Sequence, residues 1–268
     1  MADLIFPQLS SGALVQYPIR KVTTIRTIKN ILADGSMLVM ADPGAGQLRW
    51  TLSYAALQPT DMNALQTHFE RCGGPLRGFT FLDPTDNLLI YSADLTQSPW
   101  ITPALVTIES HMPDPMGGNA AFYITNGGSA AQQIVQALPA VSVNFQYCFS
   151  VYAASTSGGT CSLVLSSANT QQTSVCPLGP LWSRLSSSGT LNDTGTGLSV
   201  AISLAAGQSI SLFGPQLEPQ FAPSRFRPTY SNGGVYVNAH WAGAELVFTA
   251  DAPNLFSTSF SIETSVRN

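Results

Sequence analysis

Residues 49–84 read RWTLSYAALQPTDMNALQTHFERCGGPLRGFTFLDP and carry most of the fold information in the chain. The segment opens with an alternation of apolar and polar residues through Trp50, Leu52 and Tyr54, which predicts a strand with one buried face. A longer amphipathic segment follows, and a second apolar run occupies residues 78–82. The order of patterns therefore predicts a strand, a helix and a second strand.

The amphipathic segment predicts one helix over residues 60–72. Thr60 can cap its first turn, Asp61 suits the positive end of the helix dipole, and the Gly73-Gly74 pair ends it. The predicted buried face has the spacing i, i+3, i+7 and i+10 and consists of Met62, Leu65, Phe69 and Cys72. This periodicity places His68 on the polar side of the helix.

The middle of the chain has a different composition from its ends. Residues 87–222 contain one basic residue, Arg184, and five acidic residues, and they are rich in Ser, Thr, Gly, Asn and Gln. Apolar residues alternate with small polar ones through Leu198, Val200 and Ile202, and the same period recurs in other short segments between turn residues. This pattern predicts an antiparallel β-sandwich of the jelly-roll type rather than a flexible linker.

The two ends of the chain are predicted to fold together. The N-terminal part alone has too few strands to close a barrel around the helix, and the C-terminal segment 260–266 supplies a further strand pattern. We therefore predict a mainly β protein: a split β-barrel with one α-helix, formed by residues 1–86 and 229–268, which carries an inserted sandwich at residues 87–228.

Charge and cysteine usage exclude several classes. With 11 basic and 15 acidic residues the net charge is -4, which argues against a basic nucleic-acid-binding protein. No apolar run approaches the ~18 residues of a membrane-spanning helix, and we predict no membrane insertion and no signal peptide. The four cysteines lack a C-x-x-C pair, which argues against a metal cluster; a bridge between Cys161 and Cys176 is left open.

The ends of the chain resemble the distal-tail (baseplate ring) proteins of long-tailed phages and gene transfer agents. Their pattern is an aromatic strand, an amphipathic helix, a Gly-rich turn and an F-x-F-x-D strand, and the segment PNLFSTSFSIETSV at residues 253–266 resembles their closing strand. The matching positions in this chain are Trp50, Tyr54, Leu65, Phe69, Gly73, Phe79, Phe81 and Asp83. The resemblance implies a tail-tube-like barrel and a subunit that assembles into a ring.

The middle of the chain resembles the jelly-roll modules of carbohydrate-binding type that recur in phage tail proteins. NLLIYSADLTQSPW at residues 87–100 resembles their opening strand, and LWSRLSSSGTL at residues 181–191 resembles a later strand. AGQSISLFGPQLEPQFAPSRFRPT at residues 206–229 resembles their closing segment, although Phe213 stands where a Trp is common. The resemblance implies a glycan-binding module without naming a particular sugar.

Two kinds of site are predicted in the inserted sandwich. Aromatic rings that stack on sugars would come from Tyr91, Trp100, Tyr123, Tyr147, Tyr152 and Trp182, with Tyr123 and Tyr152 as the better candidates. The alternative for Trp100 and Trp182 is a place in the core. Glu109, Asp114 and Asn119 could hold a structural calcium ion, with solvated loop carboxylates as the alternative; no other cofactor or metal is predicted.

The ends of the chain hold candidate assembly residues. Residues 18–32 are interpreted as a long strand pair that mixes Val and Ile with four basic residues, Arg20, Lys21, Arg26 and Lys29. They could form a ring interface or line a lumen through which DNA passes as cargo, or they could be charges that protect a strand edge from aggregation.

We find no catalytic constellation in the sequence. His68, His111 and His240 are isolated, and no nucleophile elbow, H-E-x-x-H helix or phosphate loop occurs, so we predict no enzymatic activity. The first hypothesis is a structural subunit of a phage tail or tail-like particle, forming a ring with six-fold order between the tail tube protein and the baseplate hub protein. It would be located in the virion, assembled in the bacterial cytoplasm and able to contact host-surface polysaccharide. The alternatives are a lectin-like module or adhesin component that binds glycan, and a hydrolase with an ancillary sugar-binding domain, for which no carboxylate pair is apparent.

Overall fold

A computed structural model describes residues 4–42 and 46–266, and within them the chain forms eighteen β-strands and one α-helix. The predicted fold class, mainly β with one helix and an antiparallel sandwich, is confirmed. The elements in chain order are β1 (Arg20–Thr24), β2 (Thr27–Ile31), β3 (Met37–Ala41), β4 (Gly46–Leu57), α1 (Pro59–Cys72), β5 (Phe79–Leu82), β6 (Trp100–Ile101), β7 (Val106–Met112), β8 (Ala121–Asn126), β9 (Gln132–Ser142), β10 (Tyr147–Ala154), β11 (Thr160–Ser166), β12 (Gln171–Pro177), β13 (Ser183–Gly189), β14 (Thr196–Leu204), β15 (Ser209–Glu218), β16 (Val235–Trp241), β17 (Phe248–Ala252) and β18 (Leu255–Val266).

The chain divides into two units by its internal contacts. Unit 1 runs up to Phe81 and resumes at Tyr236, and unit 2 comprises Leu82–Val235. The boundaries predicted from the sequence are 86/87 and 228/229. Residues 82–86 and 229–235 lie in unit 2 because the two connecting segments bond to each other: the backbone N–H of Asp83 donates to the carbonyl of Gly234 at 2.7 Å.

Unit 1 is built on a six-stranded sheet in the order β1-β4-β18-β16-β5, with β17 paired to β18. The central pair is β4 with β18, whose antiparallel register extends from Phe256↔Leu57 to Val266↔Gly46. The predicted alternation is present in β4, where Trp50, Leu52 and Tyr54 are buried. Strands β2 and β3 form a separate two-stranded sheet, so residues 18–32 are not one strand pair: β1 pairs with β4 and β2 pairs with β3.

Helix α1 presents a different face to the core from the predicted one. Its buried residues are Asp61, Leu65, His68 and Cys72, whereas Met62 and Phe69 are half-buried. The placement of His68 on the polar side was therefore wrong. The helix also begins one residue earlier than expected, at Pro59, and its cap residue Gln58 makes no side-chain hydrogen bond. The carboxylate of Asp61 accepts hydrogen bonds from the N–H and hydroxyl of Ser10 at 2.7 and 3.1 Å.

An aromatic cluster explains the rotated face of the helix. The ring centroid of His68 lies 4.7 Å from that of Phe79 and 5.7 Å from those of Phe6 and Trp241. Trp241 packs in turn on Phe260 of β18, at 4.5 Å between centroids. Strands from both ends of the chain thus surround the imidazole, and this favours burying a residue that the local periodicity leaves outside.

Unit 2 is a sandwich of two five-stranded antiparallel sheets. Sheet A has the order β13-β10-β15-β8-β7, and sheet B has the order β12-β11-β14-β9-β6. Alternate residues of both sheets point inward and are fully buried, including Phe149 and Val151 of β10 and Leu163, Val200 and Ile202 of sheet B. This arrangement confirms the strand patterns read from the alternation.

The first part of unit 2 is irregular where a strand was expected. Residues 87–99 form bends and turns, and the strand consists only of Trp100–Ile101. Side chains replace the strand ladder here: the amide of Gln136 donates to the carbonyl of Ile90 and accepts from its N–H, at 2.8 and 2.9 Å. A residue with positive φ, Tyr91, also interrupts the extended backbone.

Candidate functional site

The outer face of sheet A holds a groove that we call the sheet groove. It has a volume of about 270 Å³ and lies over β8, β15 and β10. Its lining residues are Met112, Pro113, Tyr123, Ala154, Ser155, Thr156, Ser157, Pro180, Trp182, Ser209 and Ser211. Two of the predicted glycan residues, Tyr123 and Trp182, therefore line one groove.

The strand register explains how the two aromatic residues come to face each other. Tyr123 lies opposite Ser211, and Ser211 lies opposite Ala154 on the next strand. Trp182 directly precedes Ser183, the partner of Ala153, and so reaches the position beside Ala154. Since neighbouring strands are about 4.8 Å apart, small side chains on two strands form a floor between two aromatic walls.

The polar groups of the groove are hydroxyls, of which some are hydrogen-bonded within the fold and others are not. The hydroxyl of Ser155 donates a hydrogen bond to the carbonyl of Ser209 at 3.2 Å, and the hydroxyl of Ser209 is hydrogen-bonded to that of Thr125 at 2.8 Å. Both hydroxyls thus have partners within the protein. The hydroxyls of Ser211 and Thr156 have no partner within the described part of the chain. Every side chain that lines the groove is uncharged. Such a surface offers ring faces and hydroxyl donors and acceptors to a neutral, hydroxyl-rich ligand.

The other predicted glycan residues lie elsewhere. Tyr152 is half-buried outside the groove, and its ring is covered by the guanidinium of Arg184, 5.1 Å from the ring centroid. Tyr147 is buried, and its hydroxyl donates to the carbonyl of Ser142 at 2.6 Å. Trp100 is also buried, and its indole N–H donates to the carbonyl of Tyr91 at 2.9 Å. Tyr147 and Trp100 are therefore part of the packed interior of unit 2.

Tyr91 lines a second cavity, which we call the edge pocket. It has a volume of about 480 Å³. The residues around it include Tyr91, Asp94, Ser110, His111, Asn119 and Tyr230. Tyr230 and His111 are not predictable as a group, because they come from segments far apart in the chain and no local pattern connects them.

The candidate calcium residues have different surroundings. Asp114 closes a turn, with its oxygens accepting from the backbone N–H groups of Met116 at 2.8 Å and Ala120 at 3.0 Å. Burial is the largest single influence on Asp114 and raises its pKa, but the backbone N–H hydrogen bonds together outweigh it and hold the pKa below its usual value. Glu109 is exposed on β7, and Asn119 lines the edge pocket. Across residues 4–42 and 46–266 no group of three or more His, Cys, Asp or Glu side chains is placed to hold a metal ion.

The four basic assembly candidates occupy different surfaces of unit 1. Arg20 is the partner of Thr51 in the β1–β4 ladder, whereas Lys21 pairs with Trp50 on the opposite face and its ammonium lies 5.7 Å from that ring. Arg26 forms an ion pair with Asp42 at 2.5 Å. Lys29 is exposed on β2. Arg20 and Lys21 thus lie on opposite faces of β1, and Arg26 is paired with an acidic side chain.

The hairpin of β2 and β3 is the most unusual surface of unit 1. Every residue of both strands is exposed. The register pairs Ile28 with Met40 and Ile31 with Met37, on opposite faces of the hairpin. The exposed large apolar residues of the hairpin and its flanks are Ile25, Ile28, Ile31, Leu32, Met37, Leu38, Val39 and Met40, with Ile31 at 81% exposure. Apolar groups on both faces of an isolated hairpin are typical of a surface that is covered in an assembly.

No helix of the described residues has the length and apolar character needed to cross a membrane. No protein-family profile and no curated protein sequence matches the chain. Several solved structures are similar at low identity, and each covers about half of the chain. The C-terminal family 22 carbohydrate-binding module of Xyn10B from Clostridium thermocellum is 16% identical, with a TM-score of 0.44 over 54% of this chain and 100% of the module.

Two further structures show the same degree of likeness. The CBM22-1 xylan-binding domain of Xyn10C from Paenibacillus barcinonensis is 16% identical, with a TM-score of 0.41 over 50% of this chain and 94% of the domain. The enzymatically active domain of tailspike protein 4 from bacteriophage CBA120 is 11% identical, with a TM-score of 0.41 over 51% of this chain and 22% of that chain. This protein thus matches less than a quarter of the length of the tailspike chain. Likenesses of this size carry no information about ligand or activity.

Proposed function

We propose that unit 2 is a glycan-binding module and that the sheet groove is its site. The observation that supports this is the placement of Tyr123 and Trp182 on either side of a floor of small residues, with the free hydroxyls of Ser211 and Thr156 beside them. Rings supply apolar faces for a pyranose, and hydroxyls supply hydrogen bonds. Because cleavage of glycosidic bonds generally uses a pair of carboxylates and the groove is lined by uncharged side chains, we propose binding without catalysis.

The test is affinity electrophoresis through gels that contain xylan, galactan or a host cell-surface polysaccharide. Wild-type protein should be retarded by at least one of them, and Trp182→Ala and Tyr123→Ala should each weaken retardation about tenfold, as central aromatic contacts do. Leu181→Ala is the matched control, since Leu181 is 81% exposed, directly precedes Trp182 and does not line the groove. Unretarded wild-type protein, or retardation unchanged in both groove variants, would contradict the proposal.

A second candidate function rests on the β2–β3 hairpin. We also propose that unit 1 is a structural subunit of a phage tail or tail-like particle, such as a gene transfer agent, and forms a distal-tail ring by packing this hairpin against the next copy of the chain. A head-to-tail contact closes into a ring when the rotation between neighbouring copies closes, and we propose a closed ring of six subunits. Exposed apolar residues on both faces of the hairpin support this, because an isolated two-stranded hairpin is marginally stable in water.

The same proposal specifies partners and location. The ring would lie between the tail tube protein and the baseplate hub protein, would let DNA pass as cargo, and would belong to the virion after assembly in the bacterial cytoplasm. In such a particle the glycan module would act in attachment to host-surface polysaccharide.

Multi-angle light scattering and negative-stain imaging test the assembly. Wild-type protein should form rings or smaller oligomers in a concentration-dependent manner, and the double variant Ile28→Lys with Met40→Lys should be monomeric. Leu76→Lys is the control, since Leu76 is 76% exposed but lies outside the hairpin. A monomeric wild-type protein at all concentrations would argue against self-assembly.

A further inference from the structure

The edge pocket is held in place by backbone contacts of Tyr91. The N–H of Tyr91 donates to the carbonyl of Tyr230 at 2.6 Å, and its carbonyl accepts from the indole of Trp100 at 2.9 Å and from the N–H of Asp94 at 3.1 Å. Because these contacts use main-chain groups, the phenol rings of Tyr91 and Tyr230 remain available. The two tyrosines are thus positioned side by side without their rings being needed for packing of the backbone.

Backbone strain is concentrated at this pocket. In the part of the chain that the structure describes, four residues other than glycine have positive φ, and two of them, Tyr91 at 49° and His111 at 65°, line the edge pocket. His111 lies at the irregularity in the β7–β8 ladder between Glu109 and Met112. Residues held in this region of φ are uncommon and cluster at sites that bind ligands.

Several polar groups of the pocket are not used by the fold. The hydroxyls of Tyr91 and Tyr230, the imidazole of His111 and the amide of Asn119 have no hydrogen-bond partner within residues 4–42 and 46–266. Asp94 differs, because its carboxylate already accepts from the N–H and hydroxyl of Thr96 and from the amide of Gln97. The pocket therefore presents aromatic faces and unpaired hydrogen-bonding groups around a carboxylate that is already hydrogen-bonded to its own turn.

From these observations we infer that the edge pocket is a second saccharide site, separate from the sheet groove, which binds one neutral pyranose ring. Its volume of about 480 Å³ falls within the ~300–1,000 Å³ of small-molecule sites. Tyr91 and Tyr230 contact the ring faces, and His111 and Asn119 bond to hydroxyls. The negative charge of Asp94 disfavours acidic sugars. The inference shares a ligand class with the proposed function but rests on a different set of residues.

Saturation-transfer difference NMR on the full chain tests the inference. The probes are the methyl pyranosides of glucose, galactose, mannose, xylose and N-acetylglucosamine. The variants are Tyr230→Ala for the edge pocket and Trp182→Ala for the sheet groove, with Tyr230→Phe as the control that keeps the ring. Tyr230 is 66% exposed, so we expect its replacement to leave the fold intact.

At least one pyranoside should bind wild-type protein and Trp182→Ala alike, with about tenfold weaker binding to Tyr230→Ala and near-normal binding to Tyr230→Phe. A signal that is lost only in Trp182→Ala would assign the binding to the sheet groove and overturn the edge pocket while leaving the proposed function in place. A signal that neither variant changes, or none in wild-type protein, would also overturn it. A signal lost only in Tyr230→Ala would support the edge pocket even if the sheet groove failed its own test.

Discussion

The indole N–H of Trp241 donates a hydrogen bond to Nδ1 of His68 across 3.3 Å, inside the aromatic cluster of unit 1. The bond requires an unprotonated Nδ1, and the sulfur of Cys72 lies 3.7 Å from the other ring nitrogen. Burial, with a smaller contribution from the positive charge of Arg71, lowers the pKa of His68 to about 4. His68 is therefore a neutral core residue at physiological pH.

This geometry predicts an acid-sensitive unit 1. The folded-state pKa of about 4 lies below the unfolded value near 6.5, so the unfolded chain binds the proton more tightly. The stability that comes from keeping His68 neutral is fully present above about pH 6.5 and is lost as the pH falls through 4. The total loss in the free energy of unfolding is about 3 kcal/mol. Thermal unfolding between pH 7 and 4 measures it.

The matched comparison is His68→Gln, which lacks the titrating ring. Its free energy of unfolding should be lower at neutral pH, because a core contact is lost, and should depend less on pH over the same window. Identical pH profiles for the variant and the wild-type protein would show that another group causes the acid sensitivity.

The helix face illustrates what local sequence can and cannot predict. The position and length of α1 follow from periodicity and from Gly73, whose φ of 65° ends the helix. Which side is buried depends on Trp241 and Phe260, which come from the far end of the chain. The periodicity of residues 60–72 therefore predicts that Phe69 is buried, whereas the tertiary contacts bury His68 and leave Phe69 half-buried.

The candidate site also combines features that the sequence predicts with features that only the strand register determines. Tyr123 and Trp182 could be named from the sequence because large aromatic residues on short strands are recognisable. Their separation by a floor of Ala154 and Ser211 could not, since it depends on the register of three strands. Tyr152 has the same local pattern as Tyr123, and only the structure shows that Arg184 covers its ring.

A buried asparagine holds the first segment of unit 2 in place. The amide of Asn87 donates to the carbonyls of Pro215 at 3.0 Å and Arg227 at 3.3 Å, and its carbonyl oxygen accepts from the N–H groups of Leu89 and Leu217 at 3.1 and 3.0 Å. The residue is fully buried. One side chain thus provides hydrogen-bond partners for four main-chain groups. These groups lie on three segments, around residues 89, 215–217 and 227, which are not joined by a strand ladder here.

Asn87→Asp should destabilise unit 2 strongly. It leaves two buried carbonyls without a donor and introduces a buried carboxylate, and each unsatisfied buried group costs about 1–3 kcal/mol. Urea denaturation measures the loss. Asn192→Asp is the control, because Asn192 is exposed in the same unit and should change the free energy of unfolding by less than about 0.5 kcal/mol. Equal effects of the two substitutions would contradict the role of Asn87.

Cys161 and Cys176 face each other across the β11–β12 ladder, and all four cysteines of the chain are free thiols. The N–H of Leu178 donates to the carbonyl of Gly159 at 2.9 Å, which marks 159/178 as a hydrogen-bonded pair. Two residues further along, the cysteines occupy the next hydrogen-bonded pair, where Cβ atoms lie toward the far end of the ~4.5–5.5 Å range for cross-strand neighbours. A disulfide requires about 3.5–4.5 Å.

The two thiols should therefore stay reduced despite their proximity. Burial also raises the pKa of both groups, which lowers the thiolate fraction available for exchange. After incubation with oxidised glutathione and unfolding in denaturant, thiol titration should still count four free thiols per chain, and peptide mapping should find no 161–176 link. Detection of that link in folded protein would contradict the prediction, because the spacing of this hydrogen-bonded pair keeps the two Cβ atoms farther apart than a disulfide requires.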